Sequence, residues 1–397
     1  MKRISCFCTA LASLMAVAVA ADGGEPKFTK IKLSDKFYSE GAYYADFNKD
    51  GKLDIVAGPF IWWGPDFQNK VEYRAVKEFD PKDYSDNFMT FAGDFNGDGW
   101  PDILVIPFPG KVATWYQNPA GKAEAWKAHN TGITVDGESP VWADVNSDGR
   151  PDLVHCMGGS YGYSVYDPAA PDKPWTFVAV TKGGGYERYT HGQGCGDVNG
   201  DGRLDLLESG CWREQPADAK PGELWKKHSV KFAEAAANLL VADVDGDGWN
   251  DVITARHAHG YGLYWYQQVR DEKGEIGFKQ NIILTSTPDV QSNALRISQL
   301  HALDLGDFNC DGVPDFVTGK RHWAHGPGGD PEPSAPSVLY WFESRRNADK
   351  TVTFIPHEID NDSGVGVQVA AVDLNGDRIP DVIVGCKKGV FVFLSAR

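Results

Sequence analysis

The stretch "DFNGDGWPD" at 94–102 recurs seven times in register along this 397-residue chain. The other copies are "DFNKDGKLD" (46–54), "DVNSDGRPD" (144–152), "DVNGDGRLD" (197–205), "DVDGDGWND" (243–251), "DFNCDGVPD" (307–315) and "DLNGDRIPD" (373–381). Each follows a short apolar segment and runs into a β-rich one such as "LDIVAG" or "DVIVG". The acidic loop therefore reads as a hairpin connection. An EF-hand would need a glutamate at position 12 on a following helix. Counted from Asp94, that position is Val105, inside an apolar run suited to a strand.

Downstream of each loop comes a third strand, often aromatic ("VATWYQN", "GLYWYQQ", "SVLYWFES"), and then a fourth ("WKAHNT", "WKKHSVKF", "TVTFIPHEI"). Four strands per unit of about 50 residues is the arithmetic of propeller blades. The seventh unit supplies three strands before the chain ends, while a spare strand, "FTKIKLS" at 28–34, precedes the first loop. The expected fold is an all-β, seven-bladed propeller of four-stranded blades, with the N-terminal strand completing the last blade and removing an open sheet edge.

These loops resemble the FG-GAP/VCBS repeats also found in integrin alpha subunits, and the resemblance spans essentially all of residues 21–397. It implies seven blades with calcium in each loop between the first and second strands. The residues themselves support that chemistry. Positions 1, 3, 5 and 9 offer side-chain oxygens, position 7 a backbone carbonyl, and glycine the sharp turn, a donor set suited to Ca²⁺. The ligand candidates are Asp46, Asn48, Asp50 and Asp54; Asp94, Asn96, Asp98 and Asp102; Asp144, Asn146, Asp148 and Asp152; Asp197, Asn199, Asp201 and Asp205; Asp243, Asp245, Asp247 and Asp251; Asp307, Asn309, Asp311 and Asp315; Asp373, Asn375, Asp377 and Asp381. Simple Asx-turns would explain the residue types. They would not explain three or four carboxylates in every nine-residue loop, which repel one another unless a cation neutralises them. In the seventh loop Arg378 stands where the others have glycine.

The amino terminus, "MKRISCFCTALASLMAVAVAADGG", has a basic start, an apolar run and an A-x-A site, and reads as a signal peptide over 1–20. The mature protein is expected to be secreted or periplasmic, with no transmembrane segment. Five cysteines remain (Cys156, Cys195, Cys211, Cys310, Cys386), an odd number without zinc-motif spacing, read mostly as buried small residues with room for one disulfide. A formal charge of −16 argues against nucleic acid as a partner.

Function is expected on the face opposite the acidic loops, where the repeat is broken by additions at about 269–299 and 320–337. Six positions before each acidic loop stand Glu40, Phe88, Glu138, His191, Ala237, His301 and Val367, at the start of an inner strand. The loops between second and third strands add Arg256, His257, His259, Lys320, Arg321, His322, Trp323 and His325. "YERYTHGQG" adds Glu187, Arg188 and Tyr189, while Trp62, Trp63, Tyr161, Trp212 and Tyr261 could form aromatic walls. Each histidine alone is as well explained by strand capping or packing. Together, histidine, glutamate and arginine near a channel mouth can act as acid/base, metal ligand and anion clamp.

Two functions fit. In the first, His191, His257, His259, His301, His322, His325, Arg256 and Arg321 supply the chemistry of a carbon–oxygen lyase on a keto-sugar. Glu138, Arg188, Lys320, Trp323, Tyr161 and Tyr261 would then hold the sugar, with a divalent metal at the His-rich face added to the structural calcium. The "KRHWAHG" region and the propeller form resemble the propeller part of fungal aldos-2-ulose dehydratase, which dehydrates keto-sugars. The chain lacks room for that enzyme's cupin domains, and no catalytic residue is carried over. In the second, the same face is a non-catalytic carbohydrate- or protein-binding surface of the adhesion type.

Overall fold

A computed structural model describes residues 24–220, 222–287 and 295–397. The segment at 1–20, expected to be a signal peptide, lies outside the described residues. The rest forms seven antiparallel four-stranded sheets. In sheets one to six, four consecutive strands pair in order, as in sheet two: Met89–Gly93, Asp102–Ile106, Lys111–Gln117 and Lys127–Val135. The seventh sheet takes three strands from the carboxyl end, and its fourth is Lys27–Ser34, paired with Gly389–Ala396 from Lys27↔Ala396 inward. The expected closure by the N-terminal strand is therefore what the chain does. The arrangement is a β-propeller of four-stranded units.

The first strand of each sheet contributes to one common cavity of about 340 Å³, lined among others by Tyr44, Phe91, Trp142, Cys195, Val241, Asp304 and Ala370. These strands thus surround an axis. Between neighbouring sheets lie the buried apolar clusters, such as Phe95, Trp115, Tyr166 and Trp175 between sheets two and three. Three histidines outside the functional face serve packing. His129, His228 and His357, each on a fourth strand, stack on Trp115, Trp212 and Trp341 of the third strand at 4.0, 3.9 and 4.2 Å.

All seven acidic loops share one turn. Positions 4 and 6 have positive φ throughout, including the non-glycine residues Lys49, Ser147 and Cys310 at position 4. Arg378, at position 6 of the last loop, takes the same turn (φ 73°) and still donates its N–H to Asp373 at 2.8 Å. The five cysteines of the described chain are free, and Cys156, Cys211 and Cys386 are buried. No disulfide forms among them.

A chain lacking residues 24–34 leaves the last sheet with a bare edge. It should melt markedly lower and scatter light on heating, and a "KFTKIKLS" peptide added in trans should restore the melt. An unchanged melting temperature in the truncated chain would contradict the closure.

Candidate functional site

The ninth residue of each acidic loop is tied into the backbone of its own sheet. Asp54, Asp102, Asp152, Asp205, Asp251, Asp315 and Asp381 are all buried, at most 2% exposed. One oxygen of each accepts the N–H of loop position 2, as in Phe95 to Asp102 at 2.9 Å. In six sheets the other oxygen accepts an N–H at the end of the third strand, for example Asn118 to Asp102 at 2.8 Å. These acids pin the hairpin from inside. The side chains that gather in the loop itself are at positions 1, 3 and 5: Asp46 and Asn48 both accept the Asp50 N–H, and the carboxylates of Asp243, Asp245 and Asp247 come within 4.8 Å of one another. Burial raises the ninth-position acids from the ordinary 3.8 to about 6 for Asp54 and about 8 for Asp315.

At the opposite end of the axis, residues from four sheets meet. Glu138 and His191 sit on the lead-ins to the first strands of sheets three and four, His301 is the second residue of the first strand of sheet six, and His259 hangs from the loop between the second and third strands of sheet five. One ligand atom from each lies within 4.8 Å of all the others. His191 Nε2 is 2.9 Å from His259 Nε2 and 3.3 Å from His301 Nε2, while Glu138 Oε2 is 3.5 Å from His191 and 3.4 Å from His301. Three nitrogens this close cannot all be satisfied by one another's protons.

The tautomers follow from the outer contacts. His191 Nδ1 lies 2.7 Å from the carbonyl of Tyr189, an acceptor only, so Nδ1 carries the proton and Nε2 faces the cluster bare. Tyr189 holds that carbonyl in place from a left-handed backbone (φ 72°), with its own N–H donated to Asp136. Burial lowers the pKa of all three histidines below the ordinary imidazole value; for His259 the neighbouring His301, His191 and Arg321 add to it, and for His301 Arg321 and His191 do. Each imidazole is thus held toward its neutral form.

Two further groups complete the mouth. Arg321, 2% exposed, pairs with the buried Glu40, lies 3.6 Å from Glu138, and donates from Nη1 to His301 Nε2 at 3.0 Å. His325 is half exposed; its ring packs on His259 at 4.4 Å, and its Nδ1 and backbone N–H both reach Asp330, at 2.8 and 2.7 Å. Asp330 also stands 3.7 Å from His259 Nδ1.

The structure therefore gathers Glu138, His191, His259, His301, Arg321 and His325, together with Glu40, and leaves other expected site residues elsewhere. His257 is exposed and its Nδ1 accepts the N–H of His259. Arg256 is held by Glu234 and Tyr264. His322 stacks on Trp323 and bonds Ser337, while Trp323 donates to the Pro333 carbonyl. Lys320 is buried against Ser298 and Pro331, and Tyr261 lies under Arg296. Arg188 is exposed, lying over Gly110. Tyr161, Trp62 and Trp212 are no aromatic wall: they are core residues at most 2% exposed, and the Tyr161 hydroxyl donates to the carbonyls of Leu207 and Gly194. The rim aromatics are instead Tyr84, Phe108 and Tyr189, in contact in that order at 5.0 and 5.7 Å. Asp330, absent from the expected set, had one usable signal: it lies five residues after His325 in the same glycine-rich loop.

The FG-GAP-like repeat family matches residues 94–155 and 243–318. No curated protein sequence matches the chain. Among solved structures, the chain is similar to an Agrocybe aegerita lectin that recognises non-reducing terminal N-acetylglucosamine (16% identity, 95% of this chain and 96% of that one, TM-score 0.48). It is also similar to BBS1N, solved in complex with ARL6DN (10% identity, 94% and 97% covered, TM-score 0.51), and to 15% of the Photorhabdus luminescens Tc holotoxin pore chain (14% identity, 92% of this chain, TM-score 0.37). These likenesses concern the fold. No helix among the described residues is long and apolar enough to cross a membrane.

Arg321→Met should cost about 3–5 kcal/mol in chemical denaturation, because Glu40 is left charged and buried. Adding Glu40→Gln should recover most of that loss. If the single substitution costs under about 1 kcal/mol, the pair does not hold the mouth together.

Proposed function

We propose that this is an extracytoplasmic, calcium-braced propeller of seven blades, one per sheet, whose axial Glu138–His191–His259–His301 site binds a divalent transition metal and serves a carbon–oxygen lyase acting on keto-sugars. The observation that carries the reading is the convergence of four ligand atoms, three of them from neutral imidazoles, at the end of the channel. Three histidines and a carboxylate suit zinc or a similar ion. The Tyr189 carbonyl on His191 is the kind of outer partner such a ligand uses, while His259 Nδ1, 3.7 Å from Asp330, is buried without a hydrogen bond. A metal ion there would supply charge stabilisation at the carbonyl oxygen of the substrate.

The chain's own acid/base group is His325. Asp330 accepts a hydrogen bond from its Nδ1–H, leaving the bare Nε2 to accept the proton α to the substrate carbonyl. The C–H electron pair forms the new C=C bond as the β C–O bond breaks. The departing hydroxyl leaves as water with the proton His325 returns. Arg321, held by Glu40, fixes Glu138 and His301 behind the reacting atoms.

The residues of the acidic loops fit calcium in the same spirit: in the fifth loop the carboxylates at positions 1, 3 and 5 lie within 4.8 Å of one another, in the first loop the oxygens of positions 1 and 3 converge on one N–H, and in the second the ninth acid feels the charges of positions 1 and 5. One observation favours the second reading, a carbohydrate-binding surface without catalysis. Arg321 already donates to His301 Nε2, and a metal would have to take that lone pair.

With keto-sugars such as 1,5-anhydrofructose or a 3-keto-glycoside, enone absorbance should appear, and His325→Ala should lower kcat by roughly 10²–10⁴-fold. Co²⁺ added to calcium-loaded protein should give one equivalent of visible d–d absorbance, lost in His259→Ala. Absence of both signals would leave the binding surface as the function.

For calcium, removal by chelator should lower the melting temperature, and more so as pH rises. The ninth-position acids have folded-state pKa values of about 6–8, above the ordinary 3.8, so their contribution is present at low pH and lost as pH climbs from about 4 to 8. Calcium should flatten that slope. A chelated protein whose melt is unchanged, or rises with pH over this window, would rule out the bracing role.

A further inference from the structure

Beside His191, over the end of sheet four, lies a cavity of about 330 Å³, at the lower end of the range for small-ligand sites. Its wall includes Tyr186, Tyr189, His191, Glu208, Ser209 and Glu234, and no lysine or arginine lines it. Arg213 and Arg256, which touch the two wall carboxylates, are committed to them. Arg213 Nε donates to Glu208 at 2.8 Å and its Nη2 to the Tyr186 hydroxyl at 2.9 Å, while Tyr186 donates to Glu208 at 2.7 Å. Arg256 grips Glu234 through two bonds of 2.6 and 2.7 Å. Tyr189 is the most exposed large aromatic of this wall, at 46%, and its backbone is the one that fixes His191.

We infer that this cavity is the subsite for an uncharged sugar ring, which stacks on Tyr189 and places its hydroxyls on the Tyr186–Glu208 pair, and that it excludes sugar acids. The inference rests on the reading above for where the reacting carbon lies, and narrows its substrate class. An aromatic face covers the apolar side of a pyranose, and the carboxylate and phenol oxygens of the pair offer acceptors to its hydroxyls. A uronate would bring a third carboxylate beside Glu208 and Glu234 in a wall without lysine or arginine, which costs binding through desolvation and like-charge repulsion.

The test is calorimetric titration of the full, calcium-loaded chain with methyl 3-keto-β-D-glucoside and with methyl β-D-glucuronide. A Glu138→Gln chain is run in parallel to separate binding from turnover, and near-UV circular dichroism confirms each fold. The neutral sugar should bind at least about tenfold tighter than the glucuronide. Tyr189→Ala should weaken it roughly tenfold, Tyr189→Phe by less than about twofold, and Glu208→Gln measurably. Equal or tighter glucuronide binding, no binding of either at millimolar concentration, or indifference to Tyr189→Ala overturns the inference. The expected pattern in a protein that never turns the sugar over supports the subsite and removes the lyase reading alone. Turnover that ignores Tyr189 and Glu208 does the reverse.

Discussion

The buried aspartate at the ninth position of each acidic loop is the interaction on which the rest depends. Its two oxygens join three pieces of backbone: the turn it closes, the second strand it begins and, in six of the seven sheets, the end of the third strand. A one-residue slip would move that carboxylate from the interior to solvent and every apolar partner with it. Register is therefore fixed seven times over by the same group. That group is costly to ionise where it stands, since burial opposes its charge more than two amide N–H groups favour it. The exposed acids at positions 1 and 5 sharpen the difficulty, because their fields push in the same direction. A cation in the loop would relieve both at once, which is why scaffold and calcium reading are one argument.

With the acidic end given over to holding the sheets, the other end is free to vary. The lead-ins to the first strands converge there because the strands themselves surround the axis. A residue at a fixed distance before each loop must then arrive at a common place, whatever it is. Glu40, Glu138, His191 and His301 occupy that position in four sheets and meet. Phe88, Ala237 and Val367 occupy it in the other three and are buried.

This is also why so much was legible and where legibility stopped. Repeat period, strand order, the closing N-terminal strand and the convergence of one set of lead-in residues are consequences of periodicity, which a sequence displays directly. Loops between second and third strands have no such period. Nothing in "TARHAHGYG" separates His259, which turns inward, from His257, which does not, because the difference is one residue of turn geometry. Tyr161 and Trp212 resemble surface aromatics in composition but fall on the strand phase that faces a neighbouring sheet. Asp330 acquires its role only when its loop folds back on His325.

The formal charges at the mouth bear on what the site awaits. Glu40, Glu138 and Asp330 are three acids enclosed to within a tenth of their surface, and three enclosed bases, Arg321, Lys320 and Lys387, stand in their field. The three histidines of the cluster, kept neutral by burial and by one another, add nothing. Arg321 answers Glu40 directly, and Lys320 and Lys387 stand in the field of Asp330, so the enclosed charges come to three against three without asking any imidazole to ionise. What the mouth leaves unmet is therefore polar and not charged: His259 Nδ1, His301 Nδ1 and Glu40 Oε1 are buried without a hydrogen-bond partner. The buried pair of Arg321 and Glu40 is the fixed part of the site, and the unpartnered imidazole nitrogens are the part left open.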